Sequence, residues 1–320
     1  MSKLLKEKLG DSLKQNISLK EFNTYKIGGK AKYFVEVNSS KELLEVVKIV
    51  QELEVPFFLL AGGSNVLISD TGFEGVVVKV QGTTCRTQGQ IVEAEAGVNF
   101  NKLVNETAKQ GLSGMEWMVG IYGTIGGAVR GNAGAYGHSI SNLVEEVKVY
   151  KSGKIQKIKN KDCNFGYRDS AFKQNGGVIL SVKLKLEKGD AEEIQKTARE
   201  TMLKRTQRIP IEPNPGSIFK NIPPEEIDKE KMMKGLDISE SEYNNLMKLG
   251  DFPAGYIIEH LGFKGKIVGG AQVSEKHCNF IVNINNAKAT DIVMLISMIK
   301  QKVRSKVGIQ LHEEIQMVGF

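Results

Sequence analysis

Cysteine is scarce in this chain, whose 320 residues include only Cys85, Cys163 and Cys278. These three lie far apart, and none belongs to a C-x-x-C pair. An odd, scattered count excludes a disulfide framework and does not suit a zinc site, so no metal is expected. The pattern favours reduced thiols and a cytoplasmic protein.

Long apolar runs are also missing. No stretch approaches the roughly 20 residues that a membrane-spanning helix needs. The N-terminal stretch MSKLLKEKLGDSLKQN is polar and lacks the apolar segment and cleavage site of a secretory signal. We therefore expect neither export nor a membrane partner.

Arginine-rich segments and known nucleic-acid motifs are absent, although the formal net charge is +7. The lysines are spread along the chain, which does not meet the criterion of a clustered basic patch. We expect no nucleic-acid partner. The positive balance is compatible with small anionic ligands.

What is present is a globular composition, with 41% hydrophobic and 25% charged residues. The length predicts two or three domains. Short β-branched runs predict strands at residues 33–37, 57–60, 76–80, 91–94, 147–150 and 178–186.

Helices are predicted between these strands. Ser39 and Glu42 have the spacing of a capping box and precede an apolar stripe at helical spacing, Leu43, Val46, Val47 and Val50. A second helix is predicted over residues 101–110, and a long polar linker helix over residues 191–208.

The composition changes after this linker. Residues 223–250 are rich in lysine and glutamate and are interpreted as partly an insertion. Thr290 is predicted to cap a helix that ends at Gly308, and a terminal strand is predicted over residues 309–318. The chain thus divides into two α+β parts, residues 1–200 and 201–320.

The first glycine-rich loop lies in LAGGSNVLISD, after a predicted strand. Successive backbone N–H groups in such a turn can form an anion-binding nest, to which serine and asparagine add side-chain donors. This arrangement suits a diphosphate. A tight turn between strands is an equally open interpretation.

The second loop, GIYGTIGGAVRGNAGAYG, spans residues 120–137 and holds seven glycines interleaved with aliphatic residues. It contains neither G-x-G-x-x-G nor the P-loop pattern, so it is not a Rossmann or P-loop nucleotide site. Glycine-dense packed backbone indicates a close approach to the main chain. The approaching group is either a flat ring system with a pyrophosphate tail or simply another segment of the protein.

Six motifs occur in order over nearly the whole chain: FNTYKIGGKAKYFVEV, LAGGSNVLISD, GTIGGAVRGNAGAYG, FGYRDSAFK, PGSIFKN and LHEEIQMVG. Together they resemble the UDP-N-acetylenolpyruvoylglucosamine reductase family in its shorter form. The resemblance implies an α+β fold with a PCMH-type (vanillyl-alcohol-oxidase-like) FAD-binding domain over residues 1–200. That domain would comprise two subdomains, about 1–75 and 76–200, followed by a UDP-sugar-binding domain over residues 201–320.

The resemblance also implies FAD and NADPH as cofactors and a set of residues that hold the flavin. These are Gly62, Gly63, Ser64, Asn65, Gly120, Gly123, Thr124, Gly126, Gly127, Asn132, Ala133, Gly134 and Ile179. Two positions depart from the family pattern, where Tyr122 stands for a proline and Gly131 for a methionine.

Three residues match the catalytic positions of the family. Flavin N5 would supply a hydride to the enol ether, Arg168 would hold the carboxylate as charge develops on it, and Ser217 would deliver a proton. Glu314 matches the family glutamate, with Glu313 as its runner-up. From the residues alone, an Arg168–Asp169 surface ion pair, a turn serine and an exposed glutamate pair remain open alternatives.

The family resemblance further implies residues that contact the UDP-sugar: Tyr136, Tyr167, Arg205, Arg208, Lys220, Asn221 and Gln272. His277 lies near the last of these. NADPH and the sugar would share one site, which predicts ping-pong kinetics, and the protein would be a monomer. The alternatives are a PCMH-type oxidase or dehydrogenase of sugars or alcohols, and a non-catalytic nucleotide-sugar-binding protein.

Overall fold

The structure, a computed structural model, describes residues 1–82, 84–174 and 177–320. These residues form two compact units. The larger unit comprises Met1–Ile17, Ala31–Gly63 and Phe73–Gln207, and the smaller unit comprises Ser18–Lys30, Ser64–Gly72 and Arg208–Phe320. The functional domains predicted at residues 1–200 and 201–320 stay a prediction. The sequence does not predict that Ser18–Lys30 and Ser64–Gly72 belong to the smaller unit.

The larger unit contains one sheet with strand order β1-β2-β5-β3. Strands β2, β5 and β3 run parallel. The elements of this part are α1 (Ser2–Leu9), β1 (Lys14–Ser18), β2 (Lys30–Val37), α2 (Ser40–Glu52), β3 (Phe57–Leu60) and β5 (Phe73–Val80). The predicted apolar stripe of α2 is buried in one core cluster with the valines of this sheet. Each such side chain contributes about 1.5–3 kcal/mol when removed from water.

A second sheet of the larger unit has the order β12-β11-β13-β7-β6 and is antiparallel throughout. Its strands are β6 (Cys85–Gln88), β7 (Ile91–Glu95), β11 (Val144–Lys151), β12 (Lys154–Lys159) and β13 (Val178–Lys185). The remaining elements are α3 (Phe100–Lys109), β8 (Leu112–Ser113), α4 (Ile125–Gly131), β9 (Gly134–Ala135), β10 (His138–Ser139), α5 (Ala171–Gln174), β14 (Glu187–Lys188) and α6 (Ala191–Arg208).

The smaller unit has its own core, to which the apolar face of its long C-terminal helix contributes. Its elements are β4 (Val66–Ile68), α7 (Lys229–Leu236), α8 (Glu240–Leu246), α9 (Ala254–His260), β15 (Ile267–Val268), β16 (Ala271–Val273), β17 (Ile281–Asn283), α10 (Ala289–Val307) and β18 (Gln316–Val318). Strands β15, β16 and β17 form an antiparallel sheet, and β18 pairs parallel with β4. Within the segment 223–250, Met232, Leu236 and Tyr243 belong to this core.

The fold is α+β, as predicted, and each predicted strand up to residue 186 is present. Two predictions near the C-terminus are wrong. Thr290 is not the cap of α10, because the helix begins at Ala289 and Thr290 lies in its first turn. The predicted strand 309–318 is reduced to β18, and before it the chain makes only an isolated bridge at Glu313.

No helix among residues 1–82, 84–174 and 177–320 is both long enough and apolar enough to cross a membrane.

Candidate functional site

The two glycine loops of the sequence meet in the larger unit. A Cβ atom built on Gly62 would lie 2.7 Å from the Cα of Gly123, a distance that real Cβ atoms do not tolerate. Gly123 itself has a φ of 151°, which favours glycine. Part of the glycine content therefore serves the contact of one backbone segment with another.

Helix α4 begins directly after this contact, and its first backbone amides are hydrogen-bonded within the protein. Thr124 caps the helix by accepting from the Gly127 amide at 3.3 Å. The amides of Ile125 and Gly126 donate to the carbonyls of Val98 and Ala96 at 2.9 and 2.8 Å. These three donors are occupied by the protein, so a diphosphate has no free amide among them.

The first glycine loop differs in this respect. The backbone amides of Gly62 and Ser64 donate to no acceptor in the described part of the chain. Lys79 donates its amine to the carbonyl of Ala61 at the start of the loop, and burial lowers its pKa. Free amides beside a cation are the features of an anion-binding nest.

Open space remains beside other glycines of the second loop. A Cβ on Gly131 or Gly137 would meet no atom within 4 Å, and one on Gly127 would meet only Thr124 Oγ1, at 3.5 Å. These α-carbons are therefore accessible to a ligand. Packing therefore does not require glycine at position 131, where the family pattern has methionine.

The predicted flavin residue Asn132 has a structural role. Its side-chain amide donates to the Gly166 carbonyl at 2.8 Å, and its side-chain oxygen accepts from the Ser141 amide at 3.2 Å. The backbone of Ala133 is also bonded, to Ala128 and Ile140. Asn132 and Ala133 thus shape the loop with groups that a ligand would otherwise use.

Arg168 lies beside this loop. A Cβ on Gly134 would be 3.1 Å from Arg168 Nη1, so the glycine leaves room for the guanidinium. The guanidinium carbon is 5.3 Å from the ring centre of Tyr167. Gly166 and Asp169 exchange two backbone hydrogen bonds, at 3.1 and 3.2 Å, and close the turn that carries Arg168.

The backbone of Arg168 has a φ of 54°, which is uncommon for a residue with a side chain. The buried Ser170 hydroxyl donates to Arg130 O at 2.7 Å, and Lys173 donates to Arg168 O at 2.5 Å. Such a strained conformation persists only where surrounding contacts determine it, and it is concentrated at functional sites.

Arg205 is held by the protein rather than extended into solvent. Its Nε donates to Val119 O at 3.0 Å and its Nη2 to Trp117 O at 3.1 Å. The guanidinium lies 5.2 Å from the ring centre of Tyr136, and burial lowers its pKa. A Cβ on Gly120 would be 2.9 Å from Arg205 Cδ, so this glycine accommodates the arginine.

In the smaller unit, the segment that carries Ser217 pairs with the segment that carries Glu314. The Glu314 amide donates to Ile218 O at 2.7 Å, and Phe219 forms an antiparallel bridge with Glu313. The Lys220 amide donates to the carbonyl of His312, at 2.9 Å. Both Ser217 and Glu314 are half-buried.

Glu313 and Glu314 have different partners. Glu313 accepts a hydrogen bond from Lys300 Nζ at 2.7 Å, and both side chains are 26% exposed. The carbonyl of Glu314 accepts from the side-chain amide of Asn65 at 3.2 Å. The ion pair gives Glu313 a structural role, which leaves Glu314 as the better candidate for chemistry.

The other predicted residues lie at varied positions. Arg208 is exposed at the end of α6, whereas Ile179 is buried in β13. Asn221 accepts from the Ala254 amide at 3.3 Å, and Gln272 donates to Gly265 O at 3.3 Å.

Sequence reasoning missed Asn279. It is buried at 3% exposure and bonds to the backbone on the C-terminal side of Ser217. The available signal was a single asparagine inside the otherwise apolar run CNFIV.

Comparisons with known proteins match both parts of the chain. A family model described as "FAD binding domain" matches residues 31–159. A second, described as "UDP-N-acetylenolpyruvoylglucosamine reductase, C-terminal domain", matches residues 207–318. Their order along the chain is that implied by the sequence motifs.

Relatives that align over nearly their full length carry the same name as the second family model. The chain is 38% identical to a UDP-N-acetylenolpyruvoylglucosamine reductase of Chloroherpeton thalassium, over 99% of this chain and 96% of the relative. It is 34% identical to the protein of that name from Caldanaerobacter subterraneus, over 100% and 99%. A crystal structure of that reductase from Thermus caldophilus is similar at a TM-score of 0.74 and 29% identity, covering 96% of this chain and 98% of that one. This chain belongs to the UDP-N-acetylenolpyruvoylglucosamine reductase family.

Proposed function

We propose that this protein is an FAD-dependent, NADPH-using reductase that makes UDP-N-acetylmuramate for peptidoglycan precursor synthesis. Its substrate is the enolpyruvyl ether of UDP-N-acetylglucosamine, UDP-N-acetyl-3-O-(1-carboxyvinyl)-glucosamine. The carrying observation is that a family model of an FAD-binding domain and one of the reductase C-terminal domain match successive parts of this chain, which aligns over 99% of its length with a full-length relative of that name.

The residues of the glycine loops fit a flavin dinucleotide. The amides of Gly62 and Ser64 are available to a pyrophosphate, and the open α-carbons at Gly127 and Gly131 permit close approach. The occupied amides of α4 make the first loop the better candidate for the pyrophosphate. When bound, FAD reduced by NADPH supplies the hydride.

Arg168 is proposed to bind the carboxylate of the enolpyruvyl group. A guanidinium presents two parallel N–H groups to a carboxylate and stabilises the charge that builds on it during reduction. Two features support this role. The φ of 54° sets the backbone from which the Arg168 side chain extends, and Gly134 leaves room for its guanidinium.

Ser217 is proposed to deliver the proton to the α-carbon. A serine hydroxyl is a weak acid, so it requires a polar neighbour that restores its proton. Glu314 is proposed to orient or polarise that donor, and the backbone pairing of Glu314 with Ile218 supports the assignment. Glu313 is not proposed for this role, because it is paired with Lys300.

Arg208, Lys220, Asn221, Gln272, Tyr136 and Tyr167 are proposed to contact the UDP-sugar. Arg205 belongs to the same proposed set, with two of its donors already bonded to backbone carbonyls. We also propose that the protein is a cytoplasmic monomer. The three free thiols are consistent with a reducing compartment.

The activity is tested by incubating the protein and FAD with NADPH and the enolpyruvyl UDP-sugar. We expect one NADPH to be consumed for each sugar converted, and a product heavier by two hydrogen atoms. UDP-N-acetylglucosamine, which lacks the enolpyruvyl ether, is the matched control and should consume none. Oxygen consumption with NADPH that the sugar does not suppress would favour an oxidase instead.

A further inference from the structure

The backbone immediately after Ser217 is fixed on both edges. On one edge, the amide of Lys220 donates to His312 O at 2.9 Å and the carbonyl of Ile218 accepts from Glu314 at 2.7 Å. On the other edge, the Ile218 amide donates to the carbonyl of Asn279 at 2.8 Å. The segment is therefore held by hydrogen bonds from two neighbouring segments, with an isolated bridge between Phe219 and Glu313.

The side chain of Asn279 completes the second edge. Its Oδ1 accepts from the Phe219 amide at 3.0 Å, and its Nδ2 donates to the Phe219 carbonyl at 2.8 Å. One side chain thus pairs with both backbone groups of one residue, as a neighbouring strand would. Asn279 is 3% exposed and Phe219 is 1% exposed, so water does not replace these bonds easily.

The backbone before Ser217 is different. Gly216 has a φ of 91°, and a Cβ there would meet nothing within 4 Å. Its amide donates to the side chain of Asn214 at 2.9 Å, a local turn bond. Farther back, the Pro213 carbonyl accepts from the Asn283 amide at 2.9 Å and the Asn214 carbonyl from the Thr24 hydroxyl at 2.7 Å. Gly216 lies between these anchors and Ser217 and permits the chain to rotate, so the anchored residues nearest to Ser217 are those that follow it.

We propose that Asn279 is a positioning residue for the proton donor Ser217. It holds Phe219, and through it fixes the backbone from which the hydroxyl is presented. This inference rests on the proposed function of Ser217. It assigns a role in the proton-delivering step and none in flavin reduction.

Asn283 provides a matched control. It is also a buried asparagine, at 9% exposure, and its side chain also makes two hydrogen bonds to backbone. Nδ2 donates to Tyr25 O at 3.1 Å, and Oδ1 accepts from the Ala287 amide at 2.9 Å. Neither side-chain partner adjoins Ser217, and the backbone bond from the Asn283 amide to the Pro213 carbonyl is kept in Asn283→Ala. The substitution therefore removes equivalent side-chain bonds without releasing the Ser217 segment.

The experiment uses the full-length protein loaded with FAD and measures the two half-reactions by stopped flow. For Asn279→Ala we expect flavin reduction by NADPH at the wild-type rate. Reoxidation by the enolpyruvyl UDP-sugar should slow by about tenfold to a hundredfold, because small misplacement of a reacting group has effects of this size. The solvent deuterium isotope effect on that step should rise. Asn283→Ala should leave both rates near wild type, even where it lowers the melting temperature.

Hydrogen–deuterium exchange gives a readout that does not depend on turnover. Exchange of the Ile218 and Phe219 amides should accelerate in Asn279→Ala and not in Asn283→Ala. Should Asn279→Ala fail to fold, Asn279→Asp keeps the volume and the acceptor for the Phe219 amide but loses the donor to its carbonyl. It should slow the same half-reaction.

Faster exchange with an unchanged reoxidation rate would overturn the positioning role while leaving the proposed function intact. Equal slowing of reoxidation in Asn279→Ala and Asn283→Ala would also overturn it, since the effect would then be general destabilisation. A wild-type protein that the sugar never reoxidises would overturn the proposed function and this inference together.

Discussion

Gly62 and Gly123 are in backbone contact, so close that a methyl group on Gly62 would lie 2.7 Å from the Cα of Gly123. The two residues belong to separate glycine-rich loops, 61 positions apart in the sequence. This contact fixes the first loop against the second. It explains one glycine by protein packing, whereas the open α-carbons of Gly131 and Gly137 remain available to a ligand.

Gly62→Ala should destabilise the protein by about 1–3 kcal/mol, because the added methyl group meets backbone that cannot rotate away. FAD affinity should also fall, since the first loop must move. The matched control is Gly131→Ala, where nothing lies within 4 Å and the residue ends helix α4. That change should leave stability equal or raise it by up to about 1 kcal/mol.

Denaturant unfolding of both variants and FAD titration of Gly62→Ala check this prediction. Equal stability of Gly62→Ala and wild type would show that the two loops are not in contact.

Substitutions of Glu313 and Glu314 should have opposite effects, one on the stability of the protein and the other on its activity. Glu313→Gln breaks the half-buried pair with Lys300 and should lower the free energy of unfolding by about 1–2 kcal/mol, between the values for exposed and buried pairs. Sugar reduction by this variant should stay close to wild type. Glu314→Gln should behave oppositely, with near-normal stability and roughly a hundredfold slower sugar reduction.

A double-mutant cycle with Lys300→Met measures the ion pair itself. Loss of activity in Glu313→Gln alone would reverse the assignment of the two glutamates.

Local sequence patterns predicted the elements that are determined by neighbouring residues. The apolar stripe of α2 and the full extent of α6 follow from helical periodicity and flanking signals. Ser39 accepts from the Glu42 amide as predicted, although the Glu42 carboxylate bonds to the amide of Asn38 rather than that of Ser39.

Long-range contacts account for what the patterns could not show. The first amides of α10, at Ala289 and Thr290, donate to the carboxylate of Asp70 at 2.8 and 3.1 Å. A cap from a residue about 220 positions away cannot be detected from neighbouring residues, so the local sequence indicates Thr290 instead. The two hydrogen bonds between the Asn279 side chain and the Phe219 backbone are equally non-local.

Arg168→Lys should impair sugar reduction by about a hundredfold, since lysine keeps the charge but lacks the planar fork that binds a carboxylate through two bonds. Flavin reduction by NADPH should stay near wild type. Stopped-flow measurement of each half-reaction provides the check. A variant with normal sugar reoxidation would remove Arg168 from the catalytic step.

The three thiols should react slowly in the folded protein. Burial raises the pKa of Cys85, Cys163 and Cys278 to about 11, and a hydrogen bond to Glu106 adds to the effect at Cys85. At pH 8 about one in a thousand such groups is a thiolate, against roughly a quarter of unperturbed ones. Iodoacetamide labelling, followed by mass spectrometry, should be much slower in the native than in the unfolded protein.

These pKa shifts also predict the direction of a stability change. The neutral thiol is favoured in the folded state, so its contribution is complete below the unfolded pKa of about 8.5 and is lost as the pH rises towards 11. Cys163→Ala should therefore lose less stability than wild type between these pH values. Parallel pH profiles for the two proteins would contradict the shift at Cys163.

The most direct test of the central claim is an anaerobic visible absorption spectrum of the FAD-loaded protein. NADPH should bleach the flavin bands, and the enolpyruvyl UDP-sugar should then restore them, whereas UDP-N-acetylglucosamine should not. A protein that takes up no FAD, or a reduced flavin that the sugar leaves bleached, would contradict the reductase assignment.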